Sequence, residues 1–252
     1  MGKGISEDGK VKEGRGLGSG ASYKPWIKIR ELNSSGTASS FPDWKHGRMV
    51  ELLSQAELWA YLKIRWNDSV TDIREQYPID LAATNSIARK LGFRPAGNGQ
   101  KRMTTDLLVS LDDGRTMAVS VKAERKGLAE NRRKMELLAI EYEYWKACGV
   151  PWQIVFKEDL SPVEIRNIRD AVSCYDIRKV TDEFSFVRHL IARKIITVDM
   201  TKPIDYRGII EGLEGDNDGG NASVCGTQTR QQQRLRMEDI LHRELPLPAD
   251  PD

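Results

Sequence analysis

The sequence predicts an α/β fold, a mixed sheet flanked by helices, followed by a small and mostly helical C-terminal segment. Three observations carry this. Residues 104–122 read as two apolar strands joined by a tight turn. A helical stretch over about 128–148 then leads to the short apolar run Gln153–Phe156, and strand, helix, strand in that order implies a crossover to a parallel neighbour. After residue 160 the pattern changes to two short helices and one brief strand.

The bulk numbers bound the possibilities. A chain of 252 residues, 39% hydrophobic and 30% charged, suits a globular protein with a sizeable core. The formal net charge of +2 does not single out nucleic acid, so local charge must carry any such argument. Three cysteines (Cys148, Cys174 and Cys225), none in Cys-x-x-Cys spacing, and three scattered histidines argue against a disulfide framework or a zinc site. They suit a reducing cytoplasm. The N-terminus is polar and Gly-rich, unlike a signal peptide. No run approaches the roughly 18 apolar residues of a membrane helix, so no membrane partner is expected.

Taken in order, residues 1–22 hold seven glycines and almost nothing apolar, and read as flexible. "YKPWIKIRELNSSG" (23–36) is basic and aromatic and predicts a short strand. "SSFPDWKHGR" (39–48) reads as a loop, and "MVELL" ends a strand before a helix over 54–64. Residues 69–79 alternate as a strand closed by Pro78. Residues 80–93 form a helix with Asp80 as cap and Gly92 near its end. The hairpin and the long helix follow, the helix stopping at Gly149 with Pro151 beyond. Ser161 and Pro162 open a helix over 161–175, a second covers 181–194, and "IITVDM" (195–200) predicts a strand, together a satellite of winged-helix type. Residues 214–252 read as a linker and a Pro-rich tail. In its part from about 227, Met237, Ile240 and Leu241 give a small apolar face for a partner. The expected divisions are 1–22, 23–159, 160–213 and 214–252.

The hairpin raises the question of function. A three-residue loop Asp112-Asp113-Gly114, with glycine in the left-handed place, sets Leu111 across from Arg115 and Asp106 across from Ser120. Asp106, Leu108, Ser110, Ala118, Ser120 and Lys122 then share one face. Leu107, Val109, Leu111, Met117, Val119 and Val121 form the core face. A plain ion pair would account for Asp106 and Lys122. So would the layout of metal-dependent nucleases, in which a carboxylate holds a cation against a phosphate and a lysine stabilises the charge that develops.

Two more acids sit against the burial pattern. Glu57 lies on the apolar stripe of the 54–64 helix, either as the far half of a Ser54-x-x-Glu57 capping box or as a site residue. Glu141 falls between Leu138 and Trp145 on a stripe of the long helix that starts at Lys134, either as a boundary glutamate whose carboxylate reaches solvent or as a site residue.

Six phrases in order, "KEGRGLGSGASYKPW" (12–26), "LLSQAELWAYL" (52–62), "DSVTDIREQYP" (68–78), "MTTDLLV" (103–109), "VSVK" (119–122) and "IEYEYWKACGVPW" (140–152), carry a resemblance. The chain resembles the TnsA family, the endonuclease subunits of heteromeric cut-and-paste transposons, from about residue 10 to 160. The resemblance implies a restriction-endonuclease-like fold in a bacterial cytoplasm. It implies cleavage at the 5′ ends of a mobile element with Mg²⁺, for which Mn²⁺ substitutes. The partners it implies are transposon-end DNA, a transposase (TnsB) and an ATPase regulator (TnsC). By position it makes Glu57, Asp106, Lys122 and Glu141 catalytic, with Asp106, Glu57 and the Val121 carbonyl on metal. Where the family pattern has Gln or Glu this chain has Ser120, which leaves a second metal to Ser120 through water or to Glu124. Lys24, Lys28 and Arg30 around Trp26, and Arg132, Arg133 and Lys134, are candidate DNA contacts. The Ser120 departure also admits an inactive adaptor of the same fold that links transposase to regulator.

Overall fold

The computed structural model describes residues 5–31 and 37–215. In chain order these hold α1 (Glu7–Lys12), β1 (Ser39–Pro42), β2 (Met49–Leu52), α2 (Gln55–Arg65), β3 (Val70–Pro78), α3 (Leu81–Lys90), β4 (Thr104–Leu111), β5 (Thr116–Lys122), α4 (Arg125–Ala129), α5 (Arg132–Ala147), β6 (Trp152–Phe156), α6 (Pro162–Val172), α7 (Glu183–Ala192) and α8 (Tyr206–Gly215). A four-stranded sheet runs β3-β4-β5-β6, and β1 and β2 form a separate hairpin. β3, β4 and β5 are antiparallel, and β6 lies parallel to β5 after the crossover through α5. This is the mixed α/β sheet that the sequence predicts.

The central hairpin takes the predicted register. The Leu111 amide donates to the Arg115 carbonyl at 2.9 Å, Gly114 has φ of 82°, and Leu107 faces Val119. One step further along that register, Asp106 faces Ser120. Leu107, Val109, Val119 and Val121 lie in the main core with α2, α6 and α7, whereas Leu108 and Ala118 pack on the other face with Ile79 and Trp145. The sheet is thus apolar on both sides, and Asp106, Ser120 and Lys122 lie on the Trp145 side.

The expected single helix over 128–148 is two helices. Asn131 leaves helical geometry (φ −111°, ψ 89°) and accepts the Lys134 amide, so α5 starts anew there. The loop expected at 39–48 is a hairpin: β1 pairs with β2 from Ser39↔Leu52 to Pro42↔Met49, and buried Asp43 ties the turn. The strand expected in 23–36 does not form in the described part, which ends in a short 3-10 turn at Ile29–Glu31.

Residues 5–22 are not a loose leader. Arg15 is buried and forks onto Glu31 at 2.5 and 2.8 Å while donating to the Trp26 carbonyl at 3.0 Å. Gly16, at φ 79°, passes so close to β3 that a methyl group there would lie 2.3 Å from Pro78 Cγ. The glycines permit a strap that runs along β3.

Residues after 160 share the main core. Ile165, Ile168, Ala171 and Val172 of α6 and Val187, Ile191 and Ala192 of α7 belong to the same cluster as Leu107 and Val119. Contacts divide the chain into Met1–Glu211 and Gly212–Asp252, so the division expected at 160 is not where the chain parts. The strand expected at 195–200 does not form; at its end the Asn167 side-chain amide donates to the Met200 and Lys202 carbonyls at 2.8 and 2.7 Å. Among the described residues no strand follows β6, so the winged-helix expectation fails there. The expected docking tail lies outside the described residues. No described helix is long and apolar enough to cross a membrane.

Two buried ion pairs fasten the β1–β2 hairpin. Arg65 meets Asp43 twice at 3.0 Å, and Arg48 meets Glu75 at 2.8 and 2.6 Å while donating to the Ile73 carbonyl. Glu75 is fully buried. Arg48→Ala strands that carboxylate, and we expect a loss of about 3–5 kcal/mol in urea unfolding. A loss under about 1 kcal/mol would contradict the role given to this pair.

Candidate active site

The site grows from the central strands. Asp106 on β4 accepts the Val121 amide across the ladder at 2.6 Å, which fixes its carboxylate on the sheet. The Lys122 ammonium donates to the same Asp106 oxygen at 3.1 Å and to the Val121 carbonyl at 2.8 Å. A cationic group therefore spans the carboxylate and the carbonyl that the sequence marks as metal ligands. Both side chains keep partial access to solvent.

α2 brings Glu57. Its amide is capped by Ser54 Oγ at 3.2 Å, as in a capping box. Its carboxylate, however, takes the Leu53 amide at 2.9 Å, the Ser54 hydroxyl at 3.1 Å and the Gln76 amide at 3.0 Å. Ser54 thus caps the helix start, but the Glu57 carboxylate takes the Leu53 amide and not the Ser54 amide that a full capping box requires. α5 brings Glu141. Ser120 Oγ donates to it at 2.7 Å and Thr105 Oγ1 at 2.8 Å, and the Trp145 indole donates to Thr105 at 2.6 Å. Ser120 carries no charge of its own, and its hydroxyl instead donates to a carboxylate from the helix. Glu124 is exposed at the start of α4, with its carboxylate against Gly127, and makes no hydrogen bond to these residues.

Electrostatics link the groups. Burial, with the Asp106 charge adding to it, pushes the Glu57 carboxyl up to about 7 against the Leu53 amide, the Ser54 hydroxyl and Lys122, which oppose the rise. Burial likewise pushes Glu141 up to about 7, again with Asp106 adding and the Ser120 and Thr105 hydroxyls opposing. Three carboxyl groups thus act on one another around one ammonium group.

Oxygen donors of this kind, carboxylates and a peptide carbonyl, suit a hard divalent cation that keeps some of its waters. Among the described residues no three His, Cys, Asp or Glu side chains stand close enough to cage an ion by themselves. The carbonyl and water would have to complete the shell. The position of Lys122 is the observation that these oxygens take a positive charge.

The basic candidates lie elsewhere. Lys24 and Arg30 are exposed and Lys28 is half-buried. Trp26 is buried, with Lys10 and Arg102 over its ring. Arg132 and Arg133 both pair with Glu136, Arg133 also donates to the Pro95 carbonyl, and Lys134 is exposed. Sequence reasoning misses Gln76. The signal for it is Glu75-Gln76, two adjacent buried polar residues where a strand should alternate.

Residues 67–157 match the family model described as TnsA-like endonuclease N terminal. That segment holds Asp106, Ser120, Lys122 and Glu141. This segment is TnsA-like. Over 161 residues the chain is 36% identical to the transposon Tn7 transposition protein TnsA of Escherichia coli, an alignment covering 63% of this chain and 59% of that relative. The TnsA-like segment contains β4, β5, α5 and β6 whole, the elements that carry Asp106, Lys122 and Glu141.

The raised carboxyls give a pH prediction for the metal-free protein. Glu141 binds its proton more tightly folded than unfolded, so this stabilisation is present near pH 4.5 and is lost as pH rises through about 7. Glu141→Gln cannot lose it. From pH 5 to 8 the stability of the wild type should fall relative to the variant by about 2–3 kcal/mol. Parallel curves would contradict the raised value.

Proposed function

We propose that this chain is a Mg²⁺-dependent DNA endonuclease that cleaves the 5′ ends of a transposon within a heteromeric transposase complex. The single observation that supports it most is the Lys122 ammonium spanning the Asp106 carboxylate and the Val121 carbonyl, with Glu57 and Glu141 buried beside it. The TnsA-like match over the same strands supports the reaction class.

In this reading Asp106, Glu57 and the Val121 carbonyl hold the metal. When bound, it supplies charge neutralisation at the phosphate and makes water a stronger nucleophile at neutral pH. Asp106 is kept in place by the Val121 amide. Lys122, released from its two oxygens, turns its ammonium to the attacking water and to the charge growing on the phosphate oxygens. Ser120 and Thr105 hold Glu141 at the edge of the site, where it adds negative charge that favours cation binding. The DNA is transposon-end DNA, contacted by Lys24, Lys28 and Arg30 and by Arg132, Arg133 and Lys134. A TnsB-type transposase acts on the 3′ ends, and a TnsC-type ATPase regulator is the partner for the C-terminal tail.

The test is cleavage of end-bearing DNA by purified protein, partner transposase and Mg²⁺ or Mn²⁺. We expect a 5′-strand cut that falls at least about 10³-fold in Asp106→Ala and about 10²-fold or more in Lys122→Met, with both variants folded. No cut by the wild type, with 3′ joining by the partner intact, would overturn the endonuclease reading in favour of the inactive adaptor. Separately, deletion of 227–252 should weaken co-purification with the regulator and leave the thermal transition unchanged. Undiminished co-purification would sink that assignment.

A further inference from the structure

We propose that Gln76 is a positioning residue for this site: its side-chain amide holds the Glu57 carboxylate toward Asp106, and the N-terminal strap holds Gln76. The proposal rests on the metal-dependent reading above and extends it to a residue that does not touch the cation.

Gln76 has φ of 47°, a conformation that side chains longer than Asn rarely adopt. It does so while 2% exposed, in a strand, with glycine being the residue that such a backbone ordinarily favours. Strain of this kind persists only where surrounding contacts over-determine it, and it gathers at functional sites. Both conditions are met.

The first condition concerns what holds the backbone. The Trp26 amide donates to the Gln76 carbonyl at 3.3 Å, and the Tyr23 hydroxyl donates to the preceding carbonyl, that of Glu75, at 2.9 Å. Tyr23 and Trp26 are themselves buried, and the strap behind them is pinned by Arg15 on Glu31 and on the Trp26 carbonyl. The Glu75 side chain is locked by Arg48.

The second condition concerns where the amide points. β3 pairs Glu75 with Leu107 and Tyr77 with Thr105, which leaves Gln76 across from Asp106. Its Nε2 donates to Glu57 Oε2 at 3.0 Å, and its Oε1 accepts from Thr104 Oγ1 at 3.3 Å. An ionised Glu57 carboxylate only accepts, which makes the amide nitrogen the end that faces it. A donor on Glu57 favours the ionised carboxylate that a cation needs. At this left-handed step Glu75 reaches Arg48 and Gln76 reaches Glu57.

Two substitutions separate the backbone from the amide. Gln76→Gly suits the positive φ and removes the side chain. Gln76→Asn tolerates the same φ and keeps an amide that is one methylene short of Glu57. The readout is the Kd for Mn²⁺ of the full chain without DNA, by electron paramagnetic resonance, beside thermal unfolding of the metal-free protein. Asp106→Asn is the control. We expect both Gln76 variants to fold and to bind Mn²⁺ about tenfold more weakly than the wild type, with Asp106→Asn weaker still. Wild-type Mn²⁺ affinity in the Gln76 variants, with binding lost in Asp106→Asn, would overturn the role of Gln76 and leave the metal site standing. Wild-type affinity in Asp106→Asn would overturn the metal reading, and this proposal with it. Failure of both Gln76 variants to fold would make the residue structural and would equally overturn the proposal.

Discussion

The amide of Val121 bound to the Asp106 carboxylate at 2.6 Å is the contact on which the site depends. It ties β4 to β5 and at the same time sets one oxygen of Asp106 beside the Lys122 ammonium. A carboxylate left unpaired in an apolar sheet would cost several kcal/mol. Here the ladder itself supplies a donor, and the lysine supplies the charge. The pair is thereby held on rigid strands and not on loops, which is the condition for a site whose geometry must be reproducible.

Around that contact the other polar groups of the site arrive from three directions. Glu57 comes from the start of α2, Glu141 from the middle of α5, and Gln76 from the edge strand β3. Each is buried, and each is held by hydrogen bonds from neighbours that are not themselves charged. The result is a group of carboxyls that resist ionisation until a positive charge compensates them. Lys122 compensates them only in part, since Glu57 and Glu141 both remain near 7.

The hairpin was the most legible part of the sequence. One turn, Asp112-Asp113-Gly114, fixes the register, and the register fixes the face that carries Asp106, Ser120 and Lys122. Glu141 was legible too, since it interrupts an apolar stripe. The strap was not. Seven glycines without apolar neighbours look like disorder, and nothing local reveals that Arg15 meets Glu31 sixteen residues on, or that Gly16 passes against Pro78. Gln76 was hidden for a related reason. Strand periodicity assumes a regular backbone, and one residue with positive φ breaks the alternation that the reading relies on. The C-terminal helices were placed by their caps, but their membership of the main core depends on the packing of α6 against α2, which no local pattern encodes.

The most direct measurement is the anomalous diffraction of crystals of the full chain soaked in Mn²⁺. The account predicts a peak between the Asp106 carboxylate and the Val121 carbonyl, with the Lys122 ammonium moved off both oxygens. A Lys122 ammonium still bridging the two, with no anomalous peak beside them at saturating Mn²⁺, would contradict it.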